Sequence, residues 1–518
     1  MPQHCPTLTT GRSMIRFTST WFAVASWLIS LATSATAQTV LVKPYVQPGN
    51  GSTFGKTDFK VLCWLTDQKP GDFIVEYELP GGRMLTAIPE VVSLDFDKTA
   101  EPKKAEPEKP KDPNDPPEKT GTLPAEKEQH YFKYIVRLAE LPFNAEVRYR
   151  VKLGGTVIRE ATFRTRATAD KSVRFALVGD LANGKDQQKA IAYRISEEKP
   201  DFLVALGDIV YPAGRVNQYM SFFWKTYNDG DTPDLKTGAP LMASVPFYPV
   251  LGNHDVAARF PTVPDALGIY YFFHPPQNGP GVGPWTTSLG SDKAAAARFR
   301  SRTADSYPSL DAYSFDNGPV HIVVLNSNQS GNVDQPKLRQ WVEQDLKGTS
   351  ARWKLVCYHN PAFSSSSQHY TEQAVRLWQP LFESYGVDIV FSGHVHNYQR
   401  TVPLKFAPSS PKRDKRGRVD GEFTFDRIFD GEKSTQPSGL IHIVAGGGGA
   451  SLYGPGLEKT AVTLKKEHGE NYADYTAKMV ADRHSFVVLD ATTDSLKLRA
   501  IDLNGKTFDQ IVLTKSQK

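Results

Sequence analysis

Cysteine is scarce in this sequence, whose 518 residues include three, at positions 5, 63 and 357. Cys63 and Cys357 lie inside apolar runs that are far apart along the chain. Cysteines in such runs are typically buried and behave as small hydrophobic residues, so we expect two free thiols and no disulfide between them. This scarcity excludes a small secreted scaffold that depends on disulfides for its fold.

Long hydrophobic runs are also missing, since no segment approaches the roughly 20 apolar residues that span a bilayer. The longest apolar stretch, Trp21 to Leu31, follows Arg12 and Arg16 and precedes a small-residue motif that ends at Ala37. This pattern is typical of a signal peptide that is removed after export. We therefore predict a signal peptide over residues 1–37 and a mature protein that is exported, to the periplasm or outside the cell, without spanning the membrane.

An excess of charge of one sign is missing as well. Lysine and arginine total 61 and acidic residues 56, which gives a formal charge of +5, and no arginine-rich run concentrates it. A dedicated nucleic-acid partner is therefore not expected. Apolar residues make up 40% and charged residues 23% of the chain, which is typical of folded globular proteins. Composition leaves the oligomeric state open.

Residues 38–168 contain about seven short segments rich in valine, tyrosine and phenylalanine, with no convincing helix between them. This pattern predicts an antiparallel β-sandwich. The stretch 98–128 interrupts the pattern and is dense in lysine, glutamate and proline. Such a composition buries too little apolar surface to offset chain entropy, so we expect a disordered insert there.

Strand and helix patterns alternate from residue 171 to the end of the chain. Apolar strands are predicted over 173–178 and 202–206, and helices over 187–197, 337–346 and 372–385. Alternation over this length favours an α/β sheet with helices on its faces.

Five polar motifs follow apolar strands of this second region. They are Gly179-Asp180, Gly207-Asp208-Ile209-Val210-Tyr211, Gly252-Asn253-His254-Asp255, Tyr358-His359 and Gly393-His394-Val395-His396. Folds of this class bind ligands at the carboxyl ends of their strands, and glycine allows a sharp exit from the strand. Oxygen donors suit hard cations and imidazoles suit zinc and other first-row metals, so the mixture predicts two unlike metal ions.

Each motif taken alone has an ordinary structural explanation. A single Gly-Asp after a strand is usually a turn, and a single histidine such as His359 is more often hydrogen-bonded than metal-bound. His394 and His396 carry more weight, because two histidines just past a buried strand are costly without a metal or a charged partner. Five such motifs on separate strand ends favour the metal interpretation.

The ordered series of motifs resembles that of the calcineurin-like metallophosphoesterases. Tyr211 in the second motif is similar to the tyrosine of the purple acid phosphatase branch of that family. The resemblance implies an α/β two-sheet sandwich flanked by helices over residues 171–518. It also implies that a fibronectin type III-like, all-β sandwich precedes this domain, over residues 38–168.

The same resemblance implies seven metal ligands and an iron ion. One metal would be held by Asp180, Tyr211 and His396, the second by Asn253, His359 and His394, and Asp208 would bridge them. The metal at the tyrosine would be Fe(III) and the other a divalent ion, namely zinc, iron or manganese. Independently of the family, a phenolate is a hard anionic donor that suits a trivalent ion.

The resemblance further implies an acid phosphatase-like hydrolase that acts on phosphate esters. Two metals can generate hydroxide near neutral pH and stabilise the charge of in-line displacement. We expect His254 to protonate the leaving group, Asp255 to orient His254, and His369 to contact phosphate. The family often has a histidine pair at the last position, where this chain has Gln368 and His369.

Three functions follow from these expectations, and the first is favoured. It is an exported phosphatase that cleaves phosphomonoesters. The second is a phosphodiesterase or nucleotidase that uses the same site. The third is a surface-binding module with an inert phosphoesterase domain, against which the complete set of seven expected ligands counts.

Overall fold

Two antiparallel sheets form the first region of the computed structural model, which describes residues 38–67, 71–97, 128–303, 305–328, 335–366, 368–453 and 472–516. The strands are β1 (Val40–Gln47), β2 (Asp58–Thr66), β3 (Phe73–Leu79), β4 (Arg83–Ala87), β5 (Glu90–Phe96), β6 (Gln129–Leu141), β7 (Glu146–Leu153) and β8 (Thr156–Arg164). One sheet has the order β1-β2-β6-β5 and the other the order β4-β3-β7-β8. The predicted signal peptide and residues 98–127 of the predicted insert lie outside the described residues.

Aromatic side chains fill the space between these two sheets. Trp64 stacks on Tyr134 with ring centroids 5.2 Å apart, and Phe73 packs against both rings. All three side chains belong to one buried hydrophobic cluster to which both sheets contribute. The two four-stranded sheets therefore pack around a shared apolar core.

Two large sheets, a two-stranded sheet of Leu404–Pro408 and Gly421–Phe425, and the helices form the second region. The strands are β9 (Val173–Val178), β10 (Phe202–Ala205), β11 (Phe247–Pro249), β12 (Ala312–Asn317), β13 (Val320–Leu325), β14 (Trp353–Cys357), β15 (Ile389–Ser392), β16 (Tyr398–Thr401), β17 (Leu404–Pro408), β18 (Gly421–Phe425), β19 (Ile441–Ala445), β20 (Thr476–Val480), β21 (Ser485–Ala491), β22 (Ser495–Asp502) and β23 (Thr507–Thr514). The α-helices are α1 (Asp186–Glu198), α2 (Val216–Gln218), α3 (Trp224–Tyr227), α4 (Gly268–Phe272), α5 (Lys293–Arg302), α6 (Pro336–Gly348) and α7 (Gln379–Ser384). A π-helix spans Tyr219–Phe223, and short 3₁₀ helices span Leu241–Ala243, His254–Val256, Ser309–Asp311, Ala374–Trp378 and Tyr472–Tyr475.

The two larger sheets pack face to face. One has the order β11-β10-β9-β21-β22-β23 and the other the order β12-β13-β14-β15-β19-β16-β20. Phe315 of the second sheet lies edge-on to Phe202 and stacks on Tyr248 of the first. On the outer face of the second sheet, Leu338 and Val342 of α6 join a separate buried cluster. The mixed α/β architecture with two sheets and flanking helices is therefore confirmed.

The helix predicted over 372–385 is wrong in its first half. Residues Ala374–Trp378 form a 3₁₀ turn, and α7 begins only at Gln379. Pro380 lies in the first turn of α7, where its missing N–H costs nothing. Inside a longer helix the same proline would remove a hydrogen bond and clash with the preceding turn, so the helix starts beside it.

Two further sequence predictions concern cysteines and membranes. Cys63 and Cys357 are both buried and free, as predicted. Within the described ranges, no helix combines the length and the apolar character needed to cross a membrane.

A buried ion-pair network links β12, β13 and α6 through His321. Its Nδ1 lies 2.8 Å from Asp316 Oδ1 and its Nε2 lies 2.9 Å from Asp345 Oδ2. Burial opposes protonation of His321, but the two carboxylates outweigh it and raise its pKa to about 9. The imidazole is therefore a cation in the folded protein at neutral pH.

The raised pKa of His321 predicts that stability falls at alkaline pH. An unfolded histidine titrates near pH 6.5, so the stabilisation is complete below that pH and is lost as the pH rises through about 9. The loss should be about 3 kcal/mol, measured as the free energy of unfolding in urea at pH 6 and pH 9.5. The variant His321→Gln should lose most of this pH dependence. An equal pH dependence in both proteins would contradict the assignment.

Candidate metal centre

The predicted ligands converge because their strands are neighbours in the two packed sheets. Asp180, Asp208 and Asn253 follow β9, β10 and β11, which are adjacent and parallel. His359 and His394 follow β14 and β15, which are adjacent and parallel in the facing sheet. The carboxyl ends of these strands meet at one rim, so residues far apart in sequence become a single cluster.

Glycine is sterically required at this rim. A Cβ atom on Gly207 would lie 2.3 Å from His359 Nδ1, and one on Gly252 would lie 2.1 Å from the Asp208 nitrogen. Gly207 also has a φ of +92°, a conformation that other residues adopt at a cost. The glycines that precede the polar residues therefore allow the strand ends to approach each other closely.

Backbone strain concentrates at the same place. Four non-glycine residues of the cluster have left-handed backbone conformations, with φ values of 62°, 50°, 57° and 66° for Asp180, Asp208, His369 and His394. Such conformations cost of order 1 kcal/mol each and tend to persist at functional sites. The strain supports a functional rather than a structural interpretation of these strand ends.

Tyr211 lies at the centre of the first group of proposed metal ligands. Its hydroxyl lies 3.0 Å from Asp180 Oδ1, 3.0 Å from Asp208 Oδ2 and 3.1 Å from His396 Nε2. A phenol has one hydrogen to donate, so it can satisfy one of these three acceptors. The remaining lone pairs face one another inside a buried site, which is the arrangement that a cation stabilises.

Electrostatics at Tyr211 support the same conclusion. Burial and the neighbouring carboxylates of Asp180 and Asp208 raise the pKa of the phenol well above its ordinary value. A bound metal ion reverses this preference, because it is the largest local charge and favours the phenolate. The hard, anionic donor set therefore fits a highly charged metal ion.

His359 is the centre of the second group. Its Nδ1 lies 2.7 Å from the Leu206 carbonyl, while its Nε2 lies 3.1 Å from Asn253 Oδ1 and 3.3 Å from Asp208 Oδ2. Burial opposes protonation of His359, but Asp208 outweighs it and raises the pKa to about 10. A divalent cation in place of the proton on Nε2 would be near the same two oxygens, those of Asn253 and Asp208. This second group of side chains therefore also fits a metal ion.

Asp208 contacts both groups of donors. It is 1% exposed, and its Oδ2 lies within 3.3 Å of both Tyr211 and His359. Burial opposes its ionisation, but the imidazoles of His359 and His254 outweigh this and hold the pKa of the carboxyl well below its usual range. A carboxylate between two donor groups is suited to bridging two metal ions.

Glu372 also belongs to the site, although the motifs did not reveal it. Its Oε2 lies 3.1 Å from His394 Nε2, and its Oε1 lies 3.3 Å from His369 Nδ1. The rings of His369 and His394 have centroids 3.8 Å apart. Burial and the nearby His369 lower the pKa of His394 to about 4, which keeps its imidazole neutral. Glu372 lies in an irregular segment before the 3₁₀ turn, so no strand or helix pattern marked it as part of the site.

His254 lies beside the proposed ligands and is half-buried, whereas Asp208, His359 and His394 are buried. Its Nδ1 lies 2.6 Å from the Pro212 carbonyl, its Nε2 lies 4.0 Å from Asp208 Oδ2, and its side chain is 23% exposed. Asp255 was predicted to orient His254 and lies directly beside it in a 3₁₀ turn. The buried Asp255 carboxylate accepts hydrogen bonds from the backbone N–H groups of Ile209 and Gly252. The Pro212 carbonyl fixes Nδ1 of the histidine, and Asp255 stabilises the two loops.

The match to a family model covers this whole cluster. Residues 173–398 match the model of the calcineurin-like phosphoesterases, a span that runs from the start of β9 to just beyond His396. The chain carries a calcineurin-like phosphoesterase domain. All seven residues predicted as metal ligands lie inside this phosphoesterase domain.

Relatives of the phosphoesterase domain include purple acid phosphatases. Purple acid phosphatase 23 of Arabidopsis thaliana is 25% identical over 64% of this chain and 64% of its own length. Fe(3+)-Zn(2+) purple acid phosphatase 12 of the same plant is 26% identical over 51% of this chain and 50% of its own length. The chain is thus purple acid phosphatase-like, and it spans about half to two thirds of the length of these relatives.

A solved structure shares its fold with most of the chain. The purple acid phosphatase from yellow lupin (Lupinus luteus) seeds aligns with a TM-score of 0.57 and 18% identity. The alignment covers 91% of this chain and 74% of the lupin chain. At this level of identity, the similarity establishes a shared fold.

Proposed function

We propose that the protein is an exported phosphatase that hydrolyses phosphomonoesters at a binuclear metal centre. The observation that carries the proposal is the crowding of acceptors around Tyr211, where two buried carboxylates and an imidazole lie within 3.1 Å of one hydroxyl. This crowding is difficult to account for without a cation. The similarity to purple acid phosphatases supports the reaction class.

The proposed ligands are those predicted from the motifs. Asp180, Tyr211 and His396 would hold Fe(III), Asn253, His359 and His394 would hold zinc, iron or manganese, and Asp208 would bridge the two. The phenol and two carboxylates suit a trivalent ion, while the imidazole-rich group suits a divalent one. A relative that is named for Fe(3+) and Zn(2+) supports this pairing. When bound, two such ions neutralise phosphoryl charge and lower the pKa of coordinated water.

His254 is the proposed general acid. Its Nδ1–H donates to the Pro212 carbonyl, which directs Nε2 towards Asp208 and the donor cluster. The side chain is 23% exposed and so can meet a substrate, whereas Asp208 beside it is 1% exposed. A proton held at Nε2 is therefore placed to reach the oxygen of a departing alcohol. His369, whose ring centroid lies 3.8 Å from that of His394, is the proposed phosphate contact.

Two parts of the proposal concern the chain outside the metal centre. The N-terminal sequence pattern supports export after removal of residues 1–37. The strand orders β1-β2-β6-β5 and β4-β3-β7-β8 support a fibronectin type III-like domain over residues 38–168, because immunoglobulin-type sandwiches distribute their strands in a similar way.

The test compares an aryl phosphomonoester with the matching diester, using metal-loaded wild type and His254→Asn. We expect faster hydrolysis of the monoester by the wild type. Loss of the proton donor should lower kcat by about 10² to 10⁴ while both metals remain bound. The effect should be larger for an alkyl ester, because its alkoxide is a poorer leaving group. Steady-state kinetics and metal analysis measure both outcomes.

His130→Asn is a matched control. His130 is exposed and contacts Asp95 on the sandwich, so its replacement should leave kcat unchanged. Hydrolysis of neither ester by protein that holds two metals would overturn the proposed function. Faster cleavage of the diester would establish the phosphodiesterase alternative instead.

A further inference from the structure

Each histidine proposed as a metal ligand has one ring nitrogen fixed by another group of the protein. His359 Nδ1 lies 2.7 Å from the Leu206 carbonyl, and His396 Nδ1 lies 2.8 Å from the Ser451 carbonyl. A carbonyl can only accept, so Nδ1 of both rings carries the hydrogen. Nε2 of both rings is therefore the nitrogen that faces the other proposed ligands and can bind a metal.

His394 is fixed in the opposite sense. Its Nε2 lies 3.1 Å from Glu372 Oε2, so the hydrogen belongs on Nε2 and Nδ1 is the nitrogen left for a metal. Its partner is a carboxylate and not a backbone carbonyl. Carboxylate partners of metal-bound histidines fix the tautomer and increase the basicity of the ligand.

Glu372 is itself held in place. The Asn360 amide donates to Oε2 at 2.6 Å, and the backbone of Asn360 is anchored to Ser327 Oγ at 2.9 Å. The second oxygen, Oε1, lies 3.3 Å from His369 Nδ1. One carboxylate thus connects a proposed metal ligand with the proposed phosphate contact.

We propose that Glu372 is a positioning residue that sets the affinity of the imidazole-rich metal site. It accepts the Nε2 hydrogen of His394, leaves Nδ1 of that ring available for a metal, and contacts His369 Nδ1 through its second oxygen. This inference rests on the proposed binuclear centre. Because Glu372 contacts His394 and not His396, its influence is confined to one of the two metals.

The test is a zinc titration of metal-free protein in competition with a chromophoric chelator. Replacing Glu372 by alanine should weaken one of the two sites by about 10- to 100-fold and leave the other unchanged. Glu372→Gln should restore most of the affinity, since its amide oxygen can still accept from both Asn360 and His394. Glu343→Ala is a matched control, because Glu343 is exposed on α6 and bonds Tyr385.

A second measurement separates positioning from direct coordination. The donor atoms of His369, Glu372 and His394 lie within 4.8 Å of one another, so a carboxylate bound directly to the metal is the competing explanation. Nitrogen-15 shifts of His394 in the zinc-loaded protein should show a protonated Nε2 and a zinc-bound Nδ1. Zinc on Nε2, or unchanged zinc affinity in Glu372→Ala, would overturn the inference.

Zinc affinity and nitrogen-15 shifts are measured without a substrate. The phosphatase function and the role of Glu372 can therefore be disproved independently. Wild type that binds two zinc ions but cleaves no ester would overturn the phosphatase assignment and leave the role of Glu372 intact. Wild type that hydrolyses esters while Glu372→Ala keeps full zinc affinity would do the reverse.

Discussion

Replacing Asp208 by alanine is expected to remove both metals and to lower kcat/KM by more than about a thousandfold. In the proposed mechanism the metals would supply several kcal/mol of transition-state stabilisation, and each 1.4 kcal/mol is about a factor of ten in rate. Asp208 is the shared member of the two donor groups, since its Oδ2 lies 3.0 Å from the Tyr211 hydroxyl and 3.3 Å from His359 Nε2. Metal content by mass spectrometry and monoester hydrolysis test the prediction together.

Asp208→Asn removes the negative charge of the side chain but keeps its shape, so it distinguishes loss of metal from loss of folding. Asp208 Oδ1 also accepts the backbone N–H of His254 at 2.8 Å, and an amide oxygen can keep that bond. The asparagine variant should therefore fold like the wild type and still lose metal. Asp170→Ala, at an exposed aspartate, should change neither quantity. Loss of only one metal in both Asp208 variants would contradict the bridging role.

Replacing Asp58 by alanine should lower the free energy of unfolding by about 3 to 5 kcal/mol, the cost of breaking a buried ion pair. Asp58 Oδ1 accepts from Arg166 Nε at 2.7 Å, and Lys60 contacts the other carboxylate oxygen. Burial opposes ionisation of Asp58, but Lys60 and Arg166 outweigh it and lower its pKa to about 2. Without the carboxylate, two buried cations would face each other.

Arg166 connects this ion-pair network to both regions of the chain. Its Nη1 donates to the carbonyls of Ser52 at 2.6 Å and Asp316 at 3.1 Å, so it joins the sandwich to β12. Urea denaturation at pH 7 measures the loss. Glu160→Ala, which breaks exposed pairs with Arg148 and Arg150, should leave the midpoint unchanged. A similar small effect of Asp58→Ala would contradict the argument.

Much of the candidate site could be predicted from local sequence. Asp180, Asp208 and His394 each follow an apolar strand and a glycine, and parallel strands deliver such residues to one rim. The pattern is local, because a buried strand followed by glycine and a polar ligand can be recognised from fewer than about ten consecutive residues. The α/β architecture was predictable for the same reason, through the periodicity of its strands and helices.

Glu372 and Asp255 show where local sequence was insufficient. Glu372 follows a loop and precedes a 3₁₀ turn, so no strand or helix pattern indicates that it faces His394. Asp255 lies next to His254 in sequence, yet its carboxylate turns to the backbone of two loops. Adjacency along the chain does not determine side-chain direction in irregular segments, where φ and ψ vary from residue to residue.

The sequence alone determined the types of donor, their order and the strands that present them, since these depend on short-range patterns of apolar residues and glycine. Only the tertiary structure decided which donors touch. Tyr211 and His396 are 185 residues apart but 3.1 Å from each other. Their contact depends on the packing of two sheets, and so do the carbonyl and carboxylate partners that fix the three imidazoles. Such partners carry no sequence signature, because any residue supplies a backbone carbonyl and only the fold decides where it points.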